Sequence, residues 1–264
     1  MEKLYVVKIG GNVIDDENLL HSFLKEFAAI PGKKILVHGG GKVASELGKK
    51  LGIEPKMVDG RRITDAETLD VVVMVYAGLL NKKVVAQLQA NSCDAIGLSG
   101  ADGNCITAEK RKIKDIDYGF VGDILAEKIN TEFFKNLLLK NITPVMSPIM
   151  HDGSGQLLNT NADTVASALA IALTKLYEVQ LIYCFEKRGV LKDVDDENSL
   201  IAQITKSEYD VLKRDGVVSK GMIPKLDNAF DAIEKGVKSV VIGDAKFLKS
   251  MIEQNENAAT KLVA

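Results

Sequence analysis

"VVKIGGNVI" (residues 6–14) decides how this chain is read. An apolar run of strand character contains one Lys, Lys8, and then meets two glycines, Gly10 and Gly11. An ammonium buried without a partner is very costly, so Lys8 requires an anion. A second cluster, "VHGGGK" (37–42), also closes an apolar run with glycines. Strand, glycines, then helix is how α/β proteins build anion sites. Backbone N–H groups converge at the helix start, and missing side chains allow close approach. In open parallel sheets, ligands bind at the carboxyl ends of the strands, where both clusters lie.

Further short apolar runs follow: "KILVH" (34–38), "DAIGLS" (94–99), "ITPVMS" (142–147), "VQLIYC" (179–184) and "SVVIG" (239–243). Several are apolar throughout, as strands covered on both faces should be. Between them, helices are expected at about 41–51, 65–80, 80–91, 131–140, 162–174, 207–214, 222–235 and 246–254. Thr64 and Glu67 fit a capping box that starts the second of these. Gly236 fits a C-cap. The alternation predicts an α/β fold with a mainly parallel sheet. Residues 100–125 hold short β-like pieces that predict hairpins at a sheet edge. "MHDGSGQLLNTNAD" (150–163) predicts a tight Asp-Gly turn, and a soft domain division falls near 173–178.

The 264 residues carry a formal net charge of −2, so no general affinity for nucleic acid or anionic membrane is implied. The longest apolar runs are too short to span a bilayer, and no signal peptide is visible. Cys93, Cys105 and Cys184 are widely spaced without a Cys-x-x-Cys, which predicts reduced, cytoplasmic thiols and no metal site.

A Walker A loop is excluded, because Gly41-Lys42 is followed by Val43. Gly39-x-Gly41-x-x-Ala44, with Asp59 farther on, does fit a dinucleotide fingerprint. Dinucleotide binding and plain tight turns both stay open on the glycines alone. The charged residues say more. Lys225 follows Pro224 in a predicted first helical turn, where the helix dipole favours anions over cations. Two such lysines and two glycine clusters suggest a focused site for a highly charged ligand, such as a nucleoside triphosphate. "LNTNAD" supplies Asn159, Asn161 and Asp163, of which Asn161 or Asp163 also suits an N-cap. Arg62 in "DGRRIT" is placed to fork onto a substrate carboxylate, and Arg61 offers the same charge.

Taken together, "KIGGN", "VHGGG", "GRRIT", "GLSGADG", "LLNTNAD", "RGVL" and "GMIPKL", in this order and spacing, resemble the N-acetylglutamate kinases of the amino-acid kinase superfamily. The resemblance implies an open αβα sandwich with a mainly parallel central sheet. It implies an acyl-amino-acid-binding N-terminal lobe (1–176) and an ATP-binding C-terminal lobe (177–264). The implied reaction is ATP-dependent phosphorylation of the γ-carboxylate of N-acetyl-L-glutamate, in arginine biosynthesis. Lys8 and Lys225 would stabilise the transferring phosphoryl group, and Asp163 would orient both. Gly10 and Gly11 would make room for that group and donate to it. Gly40, Gly41, Arg62 and Asn159 would bind the acyl amino acid. Glu186, Lys187, Arg188, Gly189, Val190 and Leu191, with Val217, Val218 and Ser219, would line the nucleotide. Mg²⁺ is expected to ride on the ATP phosphates.

The chain differs from the family in Glu186-Lys187, where an Asp is usual, and in Ala259, where Gly is typical. It enters its first strand directly, which with the resemblance predicts an arginine-insensitive homodimer whose face is the apolar helix 65–80. Two alternatives accompany the main expectation. One is the same chemistry on N-succinyl-L-glutamate, with Arg61 or the stretch 110–114 meeting the extra carboxylate. The other is a non-catalytic amino-acid-binding regulator on the same fold.

Overall fold

The opening stretch forms an inner strand of the sheet around which the chain is built. The computed structural model describes residues 1–58, 60–193, 196–218, 222–253 and 258–264. In chain order the strands are β1 (Lys3–Ile9), β2 (Lys33–His38), β3 (Met57–Val58), β4 (Arg61–Arg62), β5 (Ala95–Leu98), β6 (Ile106–Lys110) and β7 (Gly122–Ile129). They continue with β8 (Thr143–Met146), β9 (Ile149–His151), β10 (Leu157–Asn159), β11 (Glu178–Phe185), β12 (Gln203–Thr205), β13 (Ser239–Asp244) and β14 (Ala259–Val263). The α-helices are α1 (Gly11–Asp15), α2 (Glu17–Ala29), α3 (Gly41–Lys50), α4 (Ala66–Val73), α5 (Asn81–Ala90), α6 (Thr131–Leu139), α7 (Ala162–Leu173), α8 (Lys206–Arg214), α9 (Ile223–Glu234) and α10 (Leu248–Ile252).

Eight strands form the main sheet, in the order β12-β14-β13-β11-β1-β2-β8-β5. Neighbours run parallel except β13 and β14. Alternation along each strand divides the core between two faces. Leu4, Val6, Ile35, Val37, Leu181 and Val240 pack with α6, α7, α8 and α9. Val7, Ile9, Leu36, Ile182, Cys184 and Val241 pack with α2, α4, α5 and α10. Covering both faces explains why these strands are apolar throughout, and the result is the expected αβα sandwich. Lys8 shares the face of Leu4 and Val6, so it points into the layer that holds α7 and α9.

Residues 100–125 hold a hairpin at a sheet edge, as expected: β6 and β7 pair antiparallel, with β7 outermost in a separate four-stranded sheet, β10-β9-β6-β7. One expectation is corrected: Thr64 does not cap a helix. Its backbone is taken by the neighbouring segment, with Thr64 N–H donating to Tyr118 O and Phe120 N–H to Thr64 O. Asp65 caps α4 instead, accepting from the Thr68 N–H. The Asp-Gly turn is present, with the Asp152 side chain accepting from Ser154 and Gln156 N–H. Gly236 follows α9 at φ +100°, as a C-cap glycine should.

After α4 the helix widens into a π-helical segment, Met74–Leu80, before continuing as α5. This wider turn lays Tyr76 and Leu80 against the second glycine cluster. Gly40 has φ +145°, and a Cβ there would overlap the Leu80 side chain. Only glycine suits that position.

Candidate active site

The carboxyl ends of β1, β2 and β11 converge on the two glycine clusters. Gly10 N–H donates to Cys184 O, tying the first cluster to β11. Gly11 begins α1, and Gly41 begins α3. On the other face of β1, the Lys8 Nζ lies 2.7 Å from Asp163 Oδ1. Asn161 caps α7 by accepting from the N–H groups of Asp163 and Thr164. The Asp163 carboxylate is thereby left to Lys8, in a first turn where negative charge is favoured.

Lys225 arrives from the first turn of α9, beside Pro224. Its ammonium sits 3.8 Å from the centroid of the Phe185 ring, and that of Lys8 is 5.1 Å from the same ring. Such contacts favour a cation by about 0.5–2 kcal/mol. Burial depresses the Lys225 pKa most; Asp163 and Glu186 oppose this, and Lys8 adds to it. Lys8 and Lys225 thus share one ring, and among the described residues the ion pair of Lys8 is with Asp163. The arrangement has a positive charge to spare and suits an anion. Tyr183 stacks on Phe185 and donates its hydroxyl to Asp163 O.

The opposite wall is built by Arg62, whose Nη2 donates to Gly41 O and Ser45 Oγ, both at 2.8 Å. Asn159 is buried, and its amide donates to Thr64 Oγ1 at 3.0 Å. His38 is fully buried between Asn81, whose amide nitrogen is 3.1 Å from Nε2, and Gly39 O, 2.9 Å from Nδ1. Burial lowers its pKa to about 4, so the ring is neutral and serves the glycine turn as a strut.

The expected nucleotide segment divides. Glu186 and Lys187 are exposed. Val190 and Leu191 are buried, with Val190 N–H donating to Thr260 Oγ1. Gly189 and Arg188 follow the end of β11, and a Cβ on Gly189 would strike Thr260. Val217 N–H donates to Leu212 O, while the Val218 side chain is part of the core. These buried side chains leave only their backbone for a ligand. Ser219 lies outside the described residues, as does Asp59. Sequence reasoning missed Phe185, the ring shared by both lysines. Its signal was its place at the end of an apolar strand, just before "EKRG".

The model of the amino acid kinase family matches residues 3–244. The chain belongs to the amino acid kinase family. Within that family it is 57% identical to the acetylglutamate kinase of Cytophaga hutchinsonii, over all of both chains. It is 53% identical to that of Bacteroides thetaiotaomicron, over 98% of this chain and 99% of the relative. The solved carbamate kinase of Giardia superposes with a TM-score of 0.70 at 13% identity, over 99% of each chain. That likeness shows the amino-acid kinase fold alone.

Proposed function

We propose that this chain transfers the γ-phosphoryl group of ATP to the γ-carboxylate of N-acetyl-L-glutamate. The products are N-acetyl-L-glutamyl 5-phosphate and ADP, in a step of arginine biosynthesis. Full-length identity of 57% to an acetylglutamate kinase carries this reading. The Lys8–Asp163–Lys225 cluster agrees with it.

A γ-carboxylate is ionised at neutral pH, so no general base is needed. Neutral, doubly hydrogen-bonded His38 is consistent with that. A carboxylate oxygen bonds to the γ-phosphorus as the bond to the ADP oxygen breaks, and that oxygen takes the electron pair. Positioning and charge neutralisation dominate such a transfer. Lys8 and Lys225 neutralise the phosphoryl oxygens, and Asp163 fixes Lys8. Gly10 and Gly11 leave room beside β11, and Gly11 donates its N–H. Arg62 and Asn159 hold the α-carboxylate, with Gly40 and Gly41 beneath.

In this reading, residues 1–176 carry the acyl amino acid and residues 177–264 the nucleotide, with the segments 186–191 and 217–219 around it. Among the described residues, no group of three His, Cys, Asp or Glu side chains is placed to hold a metal ion. In this reading Mg²⁺ rides on the nucleotide phosphates, where it would supply further charge neutralisation. Among the described residues, no helix is long and apolar enough to cross a membrane. The three cysteines are free and buried, which supports a cytoplasmic location. Met74 and Leu79, 50% and 46% exposed on the π-helical segment, support a homodimer through that face.

A second reading, N-succinyl-L-glutamate as substrate, has one observation in its favour. Arg61, Lys110, Lys112 and Lys114, with Arg111 paired to Asp123, line one cavity of about 570 Å³ together with Glu109 and Asp115, so its balance is cationic. Kinetics with ATP and each acyl-glutamate side by side test both readings. We expect saturable turnover of N-acetyl-L-glutamate. A strong preference for the succinyl compound would favour the second reading, and failure of both would overturn the kinase assignment.

A further inference from the structure

We propose that Lys42 is a third cation on the nucleotide phosphates, and that Asp15 is the positioning residue that holds it there. This rests on ATP being the phosphoryl donor. Asp15 ends α1, four residues after Gly11, so one helical turn sets the two on the same side. A Cβ on Gly11 would stand 4.0 Å from Asp15 Oδ2. The Asp15 side chain is only 11% exposed, and neither carboxylate oxygen accepts a hydrogen bond. A buried acceptor left so is expensive, and more so when charged. Burial raises the Asp15 pKa, Lys42 opposes the rise, and Glu46 and Glu186 add to it.

Lys42 is the second residue of α3, directly after Gly40 and Gly41. A cation there stands at the wrong end of the helix dipole unless an anion is close. Its Nζ is 3.9 Å from Asp15 Oδ2, and the side chain is 64% exposed. A closed charge-assisted bond would be about 2.8 Å, as Lys8–Asp163 is at 2.7 Å. The pair is therefore open, with a buried acceptor on one side and a solvated donor on the other. Lys42 has three N–H donors. By moving inward it gives one to Asp15 and another to an α- or β-phosphate oxygen of the nucleotide, next to the γ-phosphoryl group that Gly11 receives. That single movement satisfies the buried carboxylate and gives the Lys42 ammonium an anion close by. Asp15 acts through Lys42, because a carboxylate facing a polyphosphate alone repels it.

Calorimetric titration with ADP, combined with steady-state kinetics, tests this. For Lys42→Met we expect ADP binding and the KM for ATP to worsen about tenfold, the worth of one charge-assisted contact. The KM for N-acetyl-L-glutamate should stay within about twofold. Lys42→Arg should restore most of the loss. Asp15→Asn should weaken ADP about threefold, and the double variant should bind no more weakly than Lys42→Met alone. ADP affinity within twofold of the unsubstituted protein in Lys42→Met would overturn the proposal, as would losses that multiply in the double variant. Absence of ADP binding by the unsubstituted protein would instead overturn the ATP reading itself.

Discussion

Lys8 and Lys34 lie in neighbouring strands, and each is 6% exposed. Lys34 stands at the amino end of β2. Its Nζ donates to Ala28 O at 2.8 Å and Ile30 O at 2.7 Å, and it faces the Phe27 ring. Those carbonyls belong to the end of α2, where a cation complements the dipole. Lys8 stands at the carboxyl end of β1, against Asp163 and beside a second lysine. Lys34 is satisfied by the fold and closes a helix. Lys8 is held in place with positive charge left over. Burial of a lysine therefore marks no function by itself. The kind of partner, and the end of the strand, separate the two.

Substitution can break this contrast. Lys8→Arg keeps the charge but changes its shape and reach. We expect kcat to fall about a thousandfold, with nucleotide affinity within a fewfold, because positioned charge is worth several kcal/mol in such transfers. Unchanged kcat would remove Lys8 from the mechanism. His38 is a third buried basic group, uncharged when folded. Its pKa is about 4 folded against 6.5 free, so the unfolded chain takes up its proton first as the pH falls. Stability should drop between about pH 6.5 and 4, by up to about 3 kcal/mol. Denaturant titrations of the protein and of His38→Gln check this, and equal pH slopes would refute it. Lys34→Met leaves the carbonyls of Ala28 and Ile30 without their donor. We expect a loss of about 2 kcal/mol in stability with kcat within twofold, from denaturation and kinetics on one preparation. A collapse of kcat without loss of stability would erase the distinction from Lys8.

Most of the main sheet was legible because strands covered on both faces carry an uninterrupted apolar signal. The small sheet was legible only in pieces. The β6–β7 strands and the Asp-Gly turn between β9 and β10 show locally, but the pairing that joins them, Thr107 with His151, is distant and leaves no local pattern. The α4 start was misread because Thr64 is claimed by Tyr118 and Phe120, which local spacing cannot reveal. In the site, Lys8, Asp163 and Lys225 stood out by sitting where their charge is unfavourable or purposeful. Phe185, Asp15 and Lys42 are ordinary residues for their elements, and only the fold gives them a common neighbourhood. Lys34 reads as a routine strand entry, and its burial depends on where α2 ends.

The π-helical segment Met74–Leu80 turns the length of the chain into a constraint. Losing one residue there would return the helix to α register and rotate everything beyond by about 100°. Asn81 would leave His38, and Leu80 would leave Gly40. Substitutions here are local events, whereas a single-codon deletion would disconnect a glycine turn more than thirty positions upstream.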